Sequence, residues 1–217
     1  MKRELLRSVG AMVIATVVLG LAYPLLTTLV AELTMSSQAE GKRVERNGKV
    51  VGSELIAQAF DLPVLDRQGK PKNDSKGEPL RRPDPRYFQP RPSVTGYSPN
   101  ATYFANLGPN SKELSEEFRA RLAAYIALEK PFQPTLKRAD VPVDAVTSSA
   151  SGVDPDISTR NAELQAVRIS KVRKLGAKRV GALIDDATSG RVLGFIGEPG
   201  VNVLQLNLAL DREEQQR

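Results

Sequence analysis

The strongest constraint on this chain is a run of 24 residues without a charge, Ser8–Ala31. It lies between Arg7 and Glu32 and holds Met12, Val13, Ile14, Val17, Val18, Leu19, Leu21, Leu25, Leu26, Leu29 and Val30. A helix rising about 1.5 Å per residue would carry it roughly 36 Å, enough to cross a hydrocarbon core of about 30 Å with some tilt. A cleaved signal peptide is the rival reading, but its apolar core is about 7–15 residues long and closes at a small-residue cleavage site. This run continues instead through Tyr23-Pro24-Leu25, so the sequence predicts an uncleaved anchor. Gly20 bares backbone to an approaching helix, and Pro24 withdraws a backbone donor, so both are candidate packing points. The alternative is that both are merely tolerated, being frequent in membrane helices.

Orientation follows from the flanking charges. Lys2, Arg3 and Arg7 precede the run closely, whereas Lys42, Arg43, Arg46 and Lys49 come only after Leu33–Gly41, whose one charge is Glu40. Basic residues abutting a span stay in the cytoplasm. The expected layout is therefore a cytoplasmic N-terminus (1–7), a transmembrane helix (8–31), a polar stalk (32–49) and a soluble extracytoplasmic domain (50–217). In a bacterium that places the domain in the periplasm, anchored to the inner membrane.

About 185 residues beyond the span suffice for one domain with its own core. The formal net charge of +6 comes from 31 basic and 25 acidic residues, well mixed, which argues against nucleic acid as a partner. Cysteine and histidine are both absent. No disulfide, thiolate nucleophile, imidazole base or ordinary zinc site is therefore possible.

The expected fold class is α+β, a single N-terminal transmembrane helix followed by one mixed α/β domain. Val50–Phe60 is expected to contain a short helix starting at Ser53. Residues 61–86 are rich in Pro, Gly and charge and read as a loop insertion without regular structure. In the next stretch Tyr87, Phe88, Tyr97, Tyr103 and Phe104 are expected to pin a loop to the core. A helix opens at Asn110, with Glu113 at capping-box spacing and Leu114, Phe118, Leu122, Tyr125 and Ile126 on one face, and ends at Pro131. Val141, Val143 and Val146 suggest an extended piece. Ser158 is placed to cap a helix over about 159–174, and a second helix is expected over Lys178–Asp186. Arg191–Ile196 reads as a strand. Val201–Leu210 fits either a half-buried strand, from its alternating leucines, or a helix capped by Asn202 with Gln205.

No motif for catalysis emerges from these residues. Asp154-Pro155-Asp156 lacks the oxygen ligands of a calcium loop and fits a turn before a helix cap. No GxxxxGK[ST] loop is present. Gly108-Pro109 before a helix offers backbone N–H groups to an anion, or is a plain turn. Two classes of function stay open: an accessory subunit of a membrane complex, and an anchored extracytoplasmic hydrolase using paired carboxylates.

Several ordered motifs, taken together, resemble a known family. They are Gly52-Ser53-x-Leu55-Ile56-x-Gln58-x-Phe60, Tyr87-Phe88-x-x-Arg91-Pro92-Ser93 and Asn106-Leu107-Gly108-Pro109. Val141-Pro142-x-Asp144, Ser149-x-Ser151-Gly152-Val153-Asp154-Pro155 and Ile157-Ser158 follow, then Gln165 and Arg168. The end reads Leu193-Gly194-x-Ile196-Gly197-Glu198-Pro199 and Val201-Asn202-Val203-Leu204-x-Leu206-Asn207. This series, with Leu21-Ala22-Tyr23-Pro24-Leu25 in the span, is similar to KdpC, the small C subunit of the Kdp potassium-transporting P-type ATPase. The chain departs from that pattern in its longer 61–86 segment, in Tyr103-Phe104-Ala105 where Gly-Gly-Ser is usual, and in Asp156 where His is usual. Gln38-Ala39-Glu40-Gly41-Lys42 likewise stands where the family has Gln-Ala-Asn-Gly-Ser.

The resemblance implies a non-catalytic partner of two larger subunits, a channel-like A subunit that conducts potassium and a P-type B subunit that hydrolyses ATP. It implies assistance in assembly and a catalytic-chaperone role raising the ATP affinity of the B subunit, with ATP shared rather than tightly bound. Gly52, Ser53, Gln58, Arg91, Pro92, Ser93, Asn106, Gly108, Pro109, Asp154, Gln165, Arg168, Asn202 and Asn207 carry over as partner-contact or nucleotide-linked residues, with no metal site. The charge-derived topology instead sets the domain over the potassium entrance of the A subunit, away from cytoplasmic nucleotide.

Overall fold

A computed structural model describes residues 2–46, 48–75, 77–101 and 106–216. Tyr103 and Phe104, expected as anchors, lie outside the described residues. The chain divides into two compact units, residues 1–51 and 52–217.

The first unit is dominated by one helical run. Helix α1 (Lys2–Val17) passes through a π-helical turn (Val18–Ala22) into α2 (Tyr23–Ala39). Its side chains are exposed along the whole length, as befits a segment made for an apolar solvent. By length and composition Lys2–Ala39 is able to cross a membrane. The stalk is not a simple extended linker. Helix continues to Ala39, with a break at Met35 (φ −141°, ψ 39°), and strands β1 (Arg43–Arg46) and β2 (Lys49–Ser53) then pair.

In the second unit, β2 runs out into a turn rather than into the expected helix. Leu55 N–H donates to Ser53 Oγ at 3.1 Å, and a bridge joins Ser53 to Ile56. The 61–86 segment is also not the structureless insertion its composition predicts. Strands β3 (Asp61–Pro63) and β4 (Arg81–Pro83) pair antiparallel. Between them Val64 N–H donates to Leu80 O, Leu80 N–H to Lys72 O and Lys72 N–H to Val64 O, at 2.7–2.8 Å, closing a ring of three backbone bonds. Two Asp-x-x-Gly-x-Pro turns link its corners. Asp66 Oδ1 accepts from Gln68 and Lys70 N–H, and Asp74 Oδ1 from Glu78 N–H. Gly69 and Gly77 take positive φ, 80° and 85°, which glycine adopts without strain. Local side-chain caps order this stretch where apolar burial does not.

Helix α3 (Lys112–Glu129) starts one residue later than the pattern indicates. Ser111, not Asn110, caps it, with its Oγ accepting from Leu114 N–H at 3.3 Å. Tyr125 and Glu129 are buried on its inner face, while Phe118 remains exposed. The valines at 141–146 form no strand; short 3₁₀ turns at Arg138–Asp140 and Val143–Ala145 take their place.

The main core lies where α4 (Thr159–Val172), α5 (Ala177–Asp186) and α6 (Val203–Gln215) enclose a small sheet of β5 (Asp156–Ile157), β6 (Thr188–Ser189) and β7 (Gly200–Asn202), in the order β5-β7-β6. Ser158 caps α4 as expected, its Oγ accepting from Asn161 N–H at 3.1 Å. Ala162, Ile169, Val180, Leu183, Ile184, Val201, Val203, Leu206 and Leu210 fill this core with Phe88. The ambiguous 201–210 stretch resolves into both options. Strand β7 ends at Asn202, whose side chain then caps α6 by accepting from Gln205 N–H at 3.1 Å. Buried Val203, Leu206, Asn207 and Leu210 have helical spacing, so the alternating leucines were coincident with a helix. The fold is thus an N-terminal apolar helix followed by a mixed α/β region.

Candidate functional site

The family-like polar residues converge on one segment, Asp84–Ser93. In place of a neighbouring strand, helix side chains satisfy its backbone. Asn207 on α6 accepts from Phe88 N–H at 2.9 Å and donates to Phe88 O at 3.0 Å. Gln165 on α4 does the same for the next residue, accepting from Gln89 N–H at 2.8 Å and donating to Gln89 O at 3.1 Å. One turn further, Arg168 donates through Nη1 to Tyr87 O at 3.0 Å and to Pro85 O at 2.5 Å, and through Nη2 to Gln165 Oε1 at 2.8 Å. Its Nε donates to Glu129 Oε1 at 2.9 Å. Gln165, Arg168, Asn207 and Glu129 are all buried. Amide side chains suit this task because each offers one donor and one acceptor, the same pair that a peptide unit offers.

The electrostatics of this clamp are divided. Burial pushes the Glu129 carboxyl above its ordinary range, with Arg168 opposing the shift. Its Oε2 has no hydrogen-bond partner among the described residues. At Asp84 burial acts in the same sense, but hydrogen bonds and charge from Arg86 outweigh it and hold that carboxyl below its ordinary range. Tyr87 is fixed from outside: its hydroxyl donates to Asp211 Oδ1 at 3.0 Å, and the Arg173 guanidinium lies 4.6 Å from its ring centroid.

A cavity of about 590 Å³ adjoins the clamp, lined by Asp61, Arg82, Tyr97, Arg121, Tyr125, Asn161 and Gln165 together with Pro83, Pro90 and Pro92. Its polar floor is internally bonded. Tyr125 Oη donates to Asn161 Oδ1 at 3.0 Å, and Asn161 Nδ2 donates to Asp144 Oδ2 at 3.0 Å. Burial raises Asp61, against the pull of Arg81, and pushes the Tyr97 phenol up to about 12.

The remaining candidates fall into three further groups. Arg91 meets Asp154 at 2.9 Å, Pro92 O accepts from Ser149 N–H, and Ser93 Oγ donates to Gly152 O at 2.6 Å, tying two loops together. Gly52 lies against Gln58 and α6: a Cβ there would come within 2.7 Å of Gln58 Oε1 and 2.9 Å of Leu204 Cδ2. Asn202 Nδ2 donates to Glu54 O at 2.8 Å, closing the same corner. Asn106, Gly108 and Pro109 form an exposed turn before α3, in which Ser111 N–H donates to Gly108 O. Gly20 and Pro24 belong to the other unit.

Sequence reasoning missed two features. Glu129 was not singled out, although Leu122 and Tyr125 lead to it at helical spacing along the inner stripe of α3. The other is the connection between β6 and β7. The predicted strand Arg191–Ile196 is instead a tight projecting knob closed by a Val192–Ile196 bridge. Its apolar side chains face water: Val192 is 65%, Leu193 79%, Phe195 71% and Ile196 50% exposed. Leu193, Gly194 and Gly197 have positive φ (54°, 82° and 85°), which curls the chain where a strand would extend it. Arg191 and Glu198 pair across the neck at 2.8 Å.

Comparison with known proteins bears on these residues as a set. The family model described as "KdpC: K+-transporting ATPase, c chain" matches residues 5–212. This chain belongs to the KdpC family. It is 41% identical over 214 residues to the potassium-transporting ATPase KdpC subunit of Mycobacterium tuberculosis H37Rv, covering 98% of this chain and 100% of that protein. The like-named subunit of Paraburkholderia phytofirmans is 42% identical over 205 residues, covering 91% of each chain. That of Streptomyces avermitilis is 40% identical over 216 residues, covering 96% of this chain and 93% of the relative. The KdpC match includes the clamp, the knob and the apolar helix.

Proposed function

We propose that the chain is a non-catalytic accessory subunit of a potassium-transporting P-type ATPase, anchored in the inner membrane by its N-terminal helix and docked on the channel-like A subunit through the knob at Val192–Ile196. The knob is the observation that carries this reading. Burying a large apolar side chain contributes about 1.5–3 kcal/mol, so four of them held in water on a braced turn are a surface waiting for a protein partner. The neck pair Arg191–Glu198 cancels in charge, which fits a neutral apolar pocket on the partner better than an anionic surface. With the N-terminus inside, such docking sets the domain over the potassium entrance and assists assembly with the A and B subunits. A lone helix offers no conduction path, so transport itself belongs to the partners.

A second reading, the catalytic chaperone that raises the ATP affinity of the B subunit, turns on the cavity beside Gln165, which Arg82 and Arg121 line together with Asp61, Arg121 being paired with Glu117 at 2.7 Å. It requires the domain, or a signal through the span, to reach cytoplasmic nucleotide. The hydrolase alternative needs two free carboxylates, and Asp154 and Asp156 are engaged with Arg91 and Asn202.

The test is a tagged full-length Leu193→Ser/Phe195→Ser variant expressed with the other subunits. Recovery of those subunits in mild detergent is expected to fall at least about tenfold, equivalent to about 1.4 kcal/mol. Undiminished recovery would sink the docking role. ATP binding by the intact chain alone, lost in Arg82→Ala, would favour the second reading.

A further inference from the structure

We infer that the backbone carbonyls of Leu19 and Gly20 form a hydrogen-bonding site for a neighbouring transmembrane helix that carries a polar donor at mid-bilayer. The inference rests on the reading of Lys2–Ala39 as a membrane span and of the chain as a subunit of a larger complex. In an unbroken α-helix Tyr23 N–H would bond Leu19 O, and the N–H of residue 24 would bond Gly20 O. Here Tyr23 N–H bonds Val18 O instead, because the helix widens to a π turn over Val18–Ala22. Residue 24 is proline and has no N–H to give. Leu19 O thus loses its α-helical donor, Tyr23 N–H, to Val18 O, and the donor a π turn would give it is residue 24, which has none; Gly20 O loses its α-helical donor to the same proline.

The chain's own hydroxyls are committed elsewhere. Thr16 Oγ1 donates to Met12 O at 2.8 Å. Thr27 Oγ1 donates to Tyr23 O at 3.0 Å and to Pro24 O at 2.9 Å. The midpoint of Ser8–Ala31 falls between Leu19 and Gly20, so the surplus carbonyls sit at the depth where water is scarcest and an unmet backbone group is most unfavourable. Access is open: a Cβ built on Gly20 would meet only Thr16 Cγ2, at 3.8 Å. A proline and a bulge together, in a segment that lipid alone cannot satisfy, specify what must come alongside.

The occupant is a helix of another subunit with Ser, Thr, Asn or Gln at mid-depth. A second copy of this span does not fit, since Val17–Ala22 reads VVLGLA and presents no polar side chain at that level.

The full chain, expressed with the other subunits of the ATPase, tests this. Gly20→Leu blocks the approach, and Pro24→Ala returns the missing donor. Both are expected to lower recovery of the partner subunits in mild detergent by about threefold to tenfold. Gly10→Leu adds the same bulk elsewhere on the run, where nothing lies within 4 Å, and is expected to leave recovery unchanged. Unchanged recovery in both Gly20→Leu and Pro24→Ala overturns the inference, as does an equal loss in Gly10→Leu. Leu19→Cys, in a chain otherwise free of cysteine, is expected to give no disulfide-linked dimer; a dimer would overturn the choice of occupant. Release of the wild-type chain from membranes by alkaline carbonate would remove the span reading itself, separately from the docking result.

Discussion

The clamp around Asp84–Ser93 and the knob at Val192–Ile196 hold opposite positions in one fold. In the clamp, polar residues are buried and their hydrogen-bonding capacity is spent on the protein's own backbone. In the knob, apolar residues are exposed, each leaving half or more of its surface uncovered by the protein's own chain. Both lie within the stretch that the KdpC family model matches, yet they answer different demands. The resemblance alone leads one to expect partner-contact or nucleotide-linked roles for Gln165, Arg168 and Asn207, whereas the structure buries them against the backbone of Tyr87–Gln89. The knob's side chains have no such internal duty, which is why they are proposed to meet a partner. A motif's chemistry therefore does not declare whether it serves the inside or the outside; burial does.

The most severe way to break this comparison is Arg168→Met. It strands Glu129 without its counter-charge and removes the donor for Pro85 O and Tyr87 O at once. Breaking a buried pair from one side costs about 3–5 kcal/mol, a large share of the stability of an ordinary domain. Urea unfolding of the detergent-solubilised chain is expected to show a strongly lowered midpoint. A midpoint within experimental scatter of wild type would mean that the clamp is not the framework of this unit.

How much of this was legible beforehand depends on which signal each element uses. Ser158 and the Ala162–Ile169 spacing announce α4, and the core face follows with it. The apolar run announces the N-terminal helix, while its π turn, its break at Met35 and its continuation to Ala39 need coordinates. The 61–86 segment was misread because its order comes from Asp66, Gly69, Asp74 and Gly77, turn chemistry that composition counts as disorder. The knob was misread because Val192, Leu193, Phe195 and Ile196 have the composition of a strand, while positive φ at Leu193 and Gly194 bends them away. For the clamp, family spacing picked out Gln165, Arg168 and Asn207 but could not say that they face inward. That fact depends on where Phe88 and Gln89 lie, far away in sequence.

A gentler test uses pH, because the two carboxyls near the clamp are shifted in opposite senses. Asp84 is held low, so its contribution is present above the unfolded value near 4 and is lost as pH falls through the folded one. Glu129 is held high, so its contribution is full below the unfolded value of about 4.5 and declines as pH rises toward the folded one. Each proton that differs between folded and unfolded chains tilts stability by at most about 1.4 kcal/mol per pH unit. Urea midpoints measured across pH 3–7 are expected to lose part of their acid-side drop in Asp84→Asn. In Glu129→Gln they are expected to lose part of the decline above pH 4.5. If both variants kept the wild-type profile, the charges would be set by surroundings other than those described.

The smallest expected effect is the one that most sharpens the comparison. Leu193→Ser/Phe195→Ser removes two large apolar side chains, a change that inside a core would cost several kcal/mol. On the knob these side chains are mostly in water already, so folding gains little from them and the variant has little to lose. The turn is held by its own backbone, by the Val192–Ile196 bridge and by the Arg191–Glu198 pair, none of which the variant touches. The urea midpoint of the isolated full-length chain is therefore expected to correspond to a change within about 0.5 kcal/mol. Loss of partner recovery at unchanged stability would assign the knob to association alone. A stability loss of core size would instead mean that the knob packs within its own chain, and the contrast between the two regions would fall.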